Sequence, residues 1–256
     1  MTALLEATGL IRRWGGLTAV DRVDVSVAQG SLHGLIGPNG AGKTTLVNMI
    51  TGVDRIDDGR VRFQGDDVTG LASHRLASKG MARTFQTSQL FEDESVIDNV
   101  MAGRHGHIRY RFPHTLFYTP RVVREERGHR TEVYAVLREL DLAEDAHRQV
   151  AELSYGRRRL VELARAIASQ PTLLVLDEPA AGLPGSDVDV LGDVLRRLRD
   201  SGYTILVIEH NIGLLMTICD RMTVLSEGKV IADGVPAVVR ESPEVIEAYL
   251  GRNDDA

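Results

Sequence analysis

The polarity of the chain changes in an informative order between residues 32 and 50. Leu32 to Ile36 is a short, largely apolar run of the length of a buried strand. A stretch of small and polar residues follows, and then a helix-like segment from Thr44 to Ile50. On either side the pattern continues in strands. Leu4 to Ile11 and Val20 to Val27 alternate or are rich in β-branched residues, Arg60 to Gln64 follows the turn Asp57-Asp58-Gly59, and Met81 to Phe85 is a further short strand. Together these suggest a mixed sheet around the stretch at 37–45.

From Ile97 to about Leu153 the period becomes helical, with Val133, Val136, Leu137 and Leu140 on one face. The rest returns to alternation: helix Gly156 to Ser169, strand Thr172 to Leu176, helix Val188 to Asp200, strand Thr204 to Ile208. Such a rhythm is the mark of a parallel sheet covered by helices. A hairpin, Met222 to Ser226 and Lys229 to Ala232, turns at Glu227-Gly228 and leads to a helix near Val245 to Leu250. There is no internal repeat.

Composition narrows the setting. With 43% hydrophobic and 26% charged residues in 256, the chain can bury a sizeable core. No apolar run reaches the ~18 residues that span a bilayer, and Met1 to Gly9 lacks the pattern of a signal peptide, so the expectation is a chain neither exported nor membrane-spanning. The lone Cys219 forms no internal disulfide, which fits a reducing compartment, and a net charge of −6 argues against a general nucleic-acid binder.

The stretch between strand and helix, Gly37-Pro38-Asn39-Gly40-Ala41-Gly42-Lys43-Thr44-Thr45, fits G-x-x-x-x-G-K-[ST], the loop that cradles nucleotide phosphates. Glycines allow the tight turn that aims backbone N–H groups at a phosphate, and the helix start adds positive partial charge. Lys43 is expected to reach the β- and γ-phosphates, and the Thr44 hydroxyl to help hold Mg²⁺. The second chemical signal is Leu173-Leu174-Val175-Leu176-Asp177-Glu178, a buried strand ending in two carboxylates. Ligands of such sheets collect at the carboxyl ends of strands. Asp177 is placed there to position Mg²⁺, and Glu178 to take the proton of water attacking the γ-phosphate.

Between these signals stands Leu153-Ser154-Tyr155-Gly156, and with it the chain resembles the ATPase subunits of ABC transporters, whose signature reads close to L-S-G-G-Q. Trp14 ahead of the phosphate loop, Gln86 in Arg83-Thr84-Phe85-Gln86 and His210 after the strand at Thr204 to Ile208 follow in family order. The resemblance covers roughly residues 4 to 250. It implies an α/β fold: a P-loop NTPase core with a mixed or parallel sheet, an antiparallel β subdomain and a helical lobe. It also implies one ABC ATPase domain, with a nucleotide-binding core at 1–96, a helical lobe at 97–155, the second half of the core at 156–234 and a C-terminal helical extension at 235–256.

The same resemblance implies that two such subunits sandwich two ATP molecules, Ser154 and Gly156 bonding the γ-phosphate held by the opposite subunit. Trp14 stacks on adenine, Gln86 touches Mg²⁺ or the attacking water, and His210 bonds the γ-phosphate. Partners are then a second ATPase subunit, membrane permease subunits and, indirectly, a substrate-binding protein, with no nucleic acid. The location is cytoplasmic, peripheral on the inner face of the membrane. Three residues depart from the family pattern: Tyr155 and Arg157 within the signature, and Pro184 in Ala180-Ala181-Gly182-Leu183-Pro184. The last two leave room for two unequal ATP sites.

Trp14 to Val20, Ile208-Glu209-His210-Asn211 and the ending Glu247-Ala248-Tyr249-Leu250-Gly251 look like the branched-chain amino-acid class of import ATPase, and a long insertion between Asn99 and Thr131 resembles the larger of the two ATPases in those systems. Importers of urea or short amides and an exporter of the lipopolysaccharide type are the alternatives. An insertion from Asn99 to Arg130 carries seven arginines against two acidic residues, with Tyr110, Phe112, Phe117 and Tyr118 among them. It is expected to face a partner or lipid headgroups.

Overall fold

The computed structural model describes residues 2–84, 90–104 and 120–250, and divides into two compact units. One comprises Met1–Arg83 and Thr172–Ala256, the other Thr84–Pro171.

The first unit holds two sheets. Strands β1 (Ala3–Trp14), β2 (Leu17–Ala28), β4 (Asp58–Phe63) and β5 (Asp66–Asp67) form an antiparallel sheet in the order β2-β1-β4-β5. Strands β3 (Leu32–Ile36), β6 (Met81–Arg83), β7 (Leu173–Asp177), β8 (Thr204–Ile208), β9 (Arg221–Ser226) and β10 (Lys229–Gly234) form the other, ordered β10-β9-β3-β8-β7-β6. All neighbours in it are parallel except β10 on β9. The mixed sheet and the antiparallel β subdomain implied by the family resemblance are both present. A strand has two edges, and those of β1 are taken by β2 and β4 while those of β3 are taken by β8 and β9.

Strands β3, β7 and β8 are buried along their whole length, as parallel strands covered on both faces must be. Leu35, Val175 and Leu206 point to one side, into a core shared with the antiparallel sheet and helix α1 (Lys43–Ile50), where Leu5, Leu46, Ile50 and Phe63 are also buried. Each such side chain stabilises the fold by about 1.5–3 kcal/mol. Alternate residues point the other way, the face on which α6 (Gly185–Asp200) and α7 (Ile212–Ile218) pack. On β3, the buried His33 donates from Nε2 to Thr223 Oγ1 at 2.9 Å, and Thr223 in turn donates to Asp233 at 2.6 Å. Burial pushes the His33 pKa down to about 4.

The sequence did not foresee α2 (Ser73–Ser78), α7 or α8 (Pro236–Glu241), and it began α6 and α9 (Pro243–Leu250) too late. On α9, burial pushes the Tyr249 phenol up to about 12, while a backbone hydrogen bond from Gly37 draws it down.

The second unit is helical: α3 (Val96–Ala102), α4 (Pro120–Glu139) and α5 (Tyr155–Ala168). Val133, Leu137 and Leu140 are fully buried as the periodicity predicts, and Val136 is half-buried at the edge of that face. Arg104, itself buried, donates to the Ala168 carbonyl at 3.1 Å and pairs with Glu132. Helix α5 packs on α3 and α4, so the unit ends at Pro171 rather than near residue 155, the division read from the sequence. Tyr110, Phe112, Phe117 and Tyr118, with Arg109 and Arg111 of the insertion, lie outside the described residues. Among the described residues no helix is long and apolar enough to cross a membrane.

Candidate nucleotide site

The loop at 37–45 owes its shape to close backbone contacts. Gly37 has φ 154°, and a β-carbon there would lie 2.2 Å from the Leu225 carbonyl oxygen. At Gly42, φ is 99° and a β-carbon would meet the Ala19 oxygen at 2.4 Å. Only glycine fits either position. The turn between β9 and β10 seals the arrangement, since Gly228 N donates to the Ala41 carbonyl at 3.0 Å and Asp21 N to the Gly228 carbonyl at 2.8 Å.

Lys43 opens α1 and is buried, its Nζ donating to the carbonyls of Gly37 at 2.7 Å and Pro38 at 3.0 Å. Burial lowers its pKa, opposed by the carboxylates of Glu178 and Asp177, which places both acids within electrostatic reach of the ammonium. Thr44 is exposed at the helix start.

Asp177 closes β7, and its Oδ2 accepts from Arg83 at 2.6 Å. The same guanidinium donates to Asn48 Oδ1 at 2.7 Å and Thr51 Oγ1 at 3.0 Å, tying the acid to α1. Glu178, the next residue, has φ 50°, the left-handed region that a non-glycine residue seldom adopts. Its N–H donates to the Ile208 carbonyl at 2.8 Å, which holds it there, and its Oε1 accepts from His210 Nε2 at 2.5 Å. A carboxylate only accepts, so Nε2 carries the proton. Glu209 is buried beneath this pair. Its Oε1 accepts from Ala180 N at 2.5 Å and its Oε2 from His210 N at 3.1 Å, joining the turn after Glu178 to the start of α7. Burial raises the Glu209 pKa and these N–H bonds oppose the rise.

A cavity of about 680 Å³ gathers much of this chemistry. Trp14, the loop from Asn39 through Gly40, Ala41, Gly42, Lys43 and Thr44 to Thr45, Glu178 and His210 all line it. Gly37 and Pro38 contribute carbonyls to Lys43 instead, and Asp177 meets Arg83. Gln86 lies outside the described residues. Ser154 and Gly156 belong to the second unit, where Ser154 caps α5 by accepting from Arg157 N at 3.4 Å and Gly156 forms the first turn. Tyr155 is half-exposed, and its hydroxyl accepts from Arg159 at 2.9 Å.

Two of the three departures from the family pattern have a local explanation. Arg157 turns back from the helix start, donating to Asp145 Oδ2 at 2.5 Å and the Asp141 carbonyl at 2.7 Å. Pro184 stands at the N-cap of α6, where it offers no side-chain bond but its carbonyl still accepts from Asp187 N at 2.9 Å. The sequence missed Arg83 and Glu209 as members of the site. Arg83 stands in the run that pointed to Gln86 and Glu209 immediately precedes His210, so proximity to marked residues was the available signal.

The donor set suits Mg²⁺ bound with a nucleotide. A threonine hydroxyl and a carboxylate are hard oxygen ligands. Among the described residues no group of three or more His, Cys, Asp or Glu is assembled, so such an ion would draw on phosphate oxygens.

Comparison with known proteins identifies the family. Residues 20–181 match the ABC transporter family, and residues 229–255 match the family described as branched-chain amino acid ATP-binding cassette transporter. The high-affinity branched-chain amino acid transport ATP-binding protein BraF of Pseudomonas aeruginosa is 41% identical, over 97% of this chain and 98% of that one. LivG of Escherichia coli, with the same description, is 38% identical over the same shares. A crystal structure of the ADP conformation of an ATP-binding cassette of an ABC transporter superposes with a TM-score of 0.86 at 32% identity, covering 98% of this chain and all of the other. The chain belongs to the ABC transporter family, among its branched-chain amino acid ATP-binding cassettes.

Proposed function

We propose that this chain is the ATP-hydrolysing motor subunit of an importer of branched-chain amino acids, acting at the inner face of the membrane beneath a permease. The observation that carries the reading is the single cavity in which the phosphate loop, Trp14, Glu178 and His210 meet. In it Trp14 offers a π-face to the adenine, and the loop N–H groups and Lys43 receive the phosphates, the ammonium exchanging its two carbonyl partners for phosphate oxygen. Thr44 and Asp177, with Gln86, would hold Mg²⁺, which when bound offsets phosphate charge. Glu178 accepts the proton of the attacking water. His210, whose Nε2–H now bonds that carboxylate, would turn the same N–H to the γ-phosphate when nucleotide is bound and free Glu178 for the water.

Ser154 and Gly156 are assigned to the γ-phosphate held by a second ATPase subunit, so that the site is completed in a dimer and opens after hydrolysis. The unequal-site reading loses support at position 157, because Arg157 is spent on Asp145 and Asp141 within its own unit. Leucine, isoleucine and valine are favoured as cargo by the names of the relatives, and urea import or lipopolysaccharide export by none of those described above. The test is uptake of labelled leucine, with urea in parallel, in source cells carrying Lys43→Ala at the native locus. Selective loss of leucine uptake is expected. Selective loss of urea uptake would change the cargo, and unchanged uptake of both with stable expression would overturn the import role.

A further inference from the structure

Strand β1 delivers Trp14 to the nucleotide cavity, and two residues earlier it carries a cation that the reading above leaves unused. Residues two apart on a strand leave it on the same face. The Arg12 side chain is only 4% exposed, and its guanidinium carbon lies 3.9 Å from the centroid of the Trp14 ring. Its orientation is fixed from below. Nε and one terminal nitrogen donate to the two oxygens of Asp54 at 3.1 and 2.9 Å, and the other donates to Asp57 at 3.3 Å and to the Arg13 carbonyl at 3.2 Å. Asp57 is itself held by Arg13 N at 2.7 Å.

Trp14, by contrast, is 54% exposed and lines the cavity, whereas Arg12, Asp54 and Asp57 do not. One side of the indole is thus backed by a buried, doubly anchored cation, and the ring's exposed area is turned to the space where a base would lie. We infer that Arg12 is a positioning residue for nucleotide binding: it is the pedestal that sets the plane of Trp14 and holds its free face ready for the adenine. This rests on the reading that Trp14 stacks on the base. A guanidinium is suited to the task because it is planar, always charged and less strongly hydrated than an ammonium. The cation also draws π-density toward itself, away from the face left for the purine.

Trp14 is the chain's one tryptophan, so its fluorescence reports this ring alone. The test compares the full-length protein with Arg12→Lys, which keeps a charge for Asp54 and Asp57 but loses the planar contact, and with Arg12→Met. For each, affinity is measured for Mg-ATP and for Mg-tripolyphosphate, which has no base, together with the response of Trp14 emission to ATP. The expected result is a loss of about three- to tenfold in ATP affinity in both variants, with tripolyphosphate affinity unchanged and the emission response reduced. Equal losses for both ligands would make Arg12 a general structural support and overturn the inference. So would full ATP affinity in both variants. If the unmodified protein binds ATP with no change in Trp14 emission, the stacking reading itself falls, and that failure is seen before any variant is made.

Discussion

The phosphate loop and the signature helix are held in place by different physics. In the first unit the phosphate loop is shaped by backbone: Gly37 and Gly42 lie against carbonyl oxygens, Gly228 bonds Ala41, and Glu178 is pinned in a left-handed conformation by Ile208. In the second unit the signature helix is held by arginines. Arg157 reaches Asp145 and the Asp141 carbonyl, Arg158 the carbonyls of Leu153 and Ala151, and Arg159 both Glu162 and Tyr155. Backbone contacts admit almost no substitution, whereas a set of long side chains can exchange members and tolerate loss. The first unit therefore fails abruptly when altered, and the second by degrees.

Four experiments bear on this contrast. The largest effect is expected from Glu178→Gln, which removes the proton acceptor without disturbing the pinned backbone. Turnover should fall by about 10²–10⁴-fold while ATP affinity is kept, and full residual turnover in a steady-state assay would remove Glu178 as the base. Gly37→Ala comes next. Its β-carbon has no room beside Leu225 O, and a cost above about 3 kcal/mol is expected in denaturant unfolding, accompanied by lost ATP binding. Near-normal stability in that variant would mean that the loop is more yielding than its contacts imply.

The third is an effect of acid on the first unit. His33 has a folded pKa of about 4 against an ordinary value near 6.5, so the unfolded chain binds the extra proton more readily. Stability is fully present above pH ~6.5 and is lost as pH falls toward 4, by about 2.5 kcal/mol at pH 4.5. Urea unfolding at pH 7 and 4.5 should show this drop in the native protein and a smaller one in His33→Gln; equal drops would assign the acid sensitivity to other groups. The smallest effect belongs to the second unit. Asp145→Asn weakens the bonds from Arg157 and Arg148, both partly solvated, and should cost about 1–2 kcal/mol with ATP affinity unchanged in calorimetry. A collapse as severe as that of Gly37→Ala would erase the contrast.

What the sequence revealed and what it hid follow from how local each interaction is. The strand, loop and helix at 32–50 are contiguous, so period and glycine spacing sufficed. The separation into two sheets came from the family resemblance and not from the local pattern, because β1 chooses β4 and β3 chooses β8 and β9 across long stretches of chain. Helix α7 was missed because Ile212–Ile218 is short and nearly uniform in polarity, with no polar face to give it a period. Arg12 carries no motif and Glu209 is marked only as a subfamily likeness, and their roles in the site come from partners 42 and 29 residues away. Arg157 left room for unequal ATP sites because it occupies a signature position, but its partner Asp145 lies on an earlier turn of the lobe.

The neighbours that give the phosphate loop its shape, Leu225, Gly228 and the phenol of Tyr249, are encoded near the far end of the chain. At a synthesis rate of about 5–20 residues per second, the loop leaves the ribosome roughly 10–40 seconds before they do. During that interval the segment has its glycines and Ala19 but lacks Leu225, Gly228 and Tyr249. A message cut short before the β9–β10 turn would yield a product that carries the whole G-x-x-x-x-G-K-[ST] motif and no finished cradle. The cradle is therefore finished only once the β9–β10 turn has joined the loop.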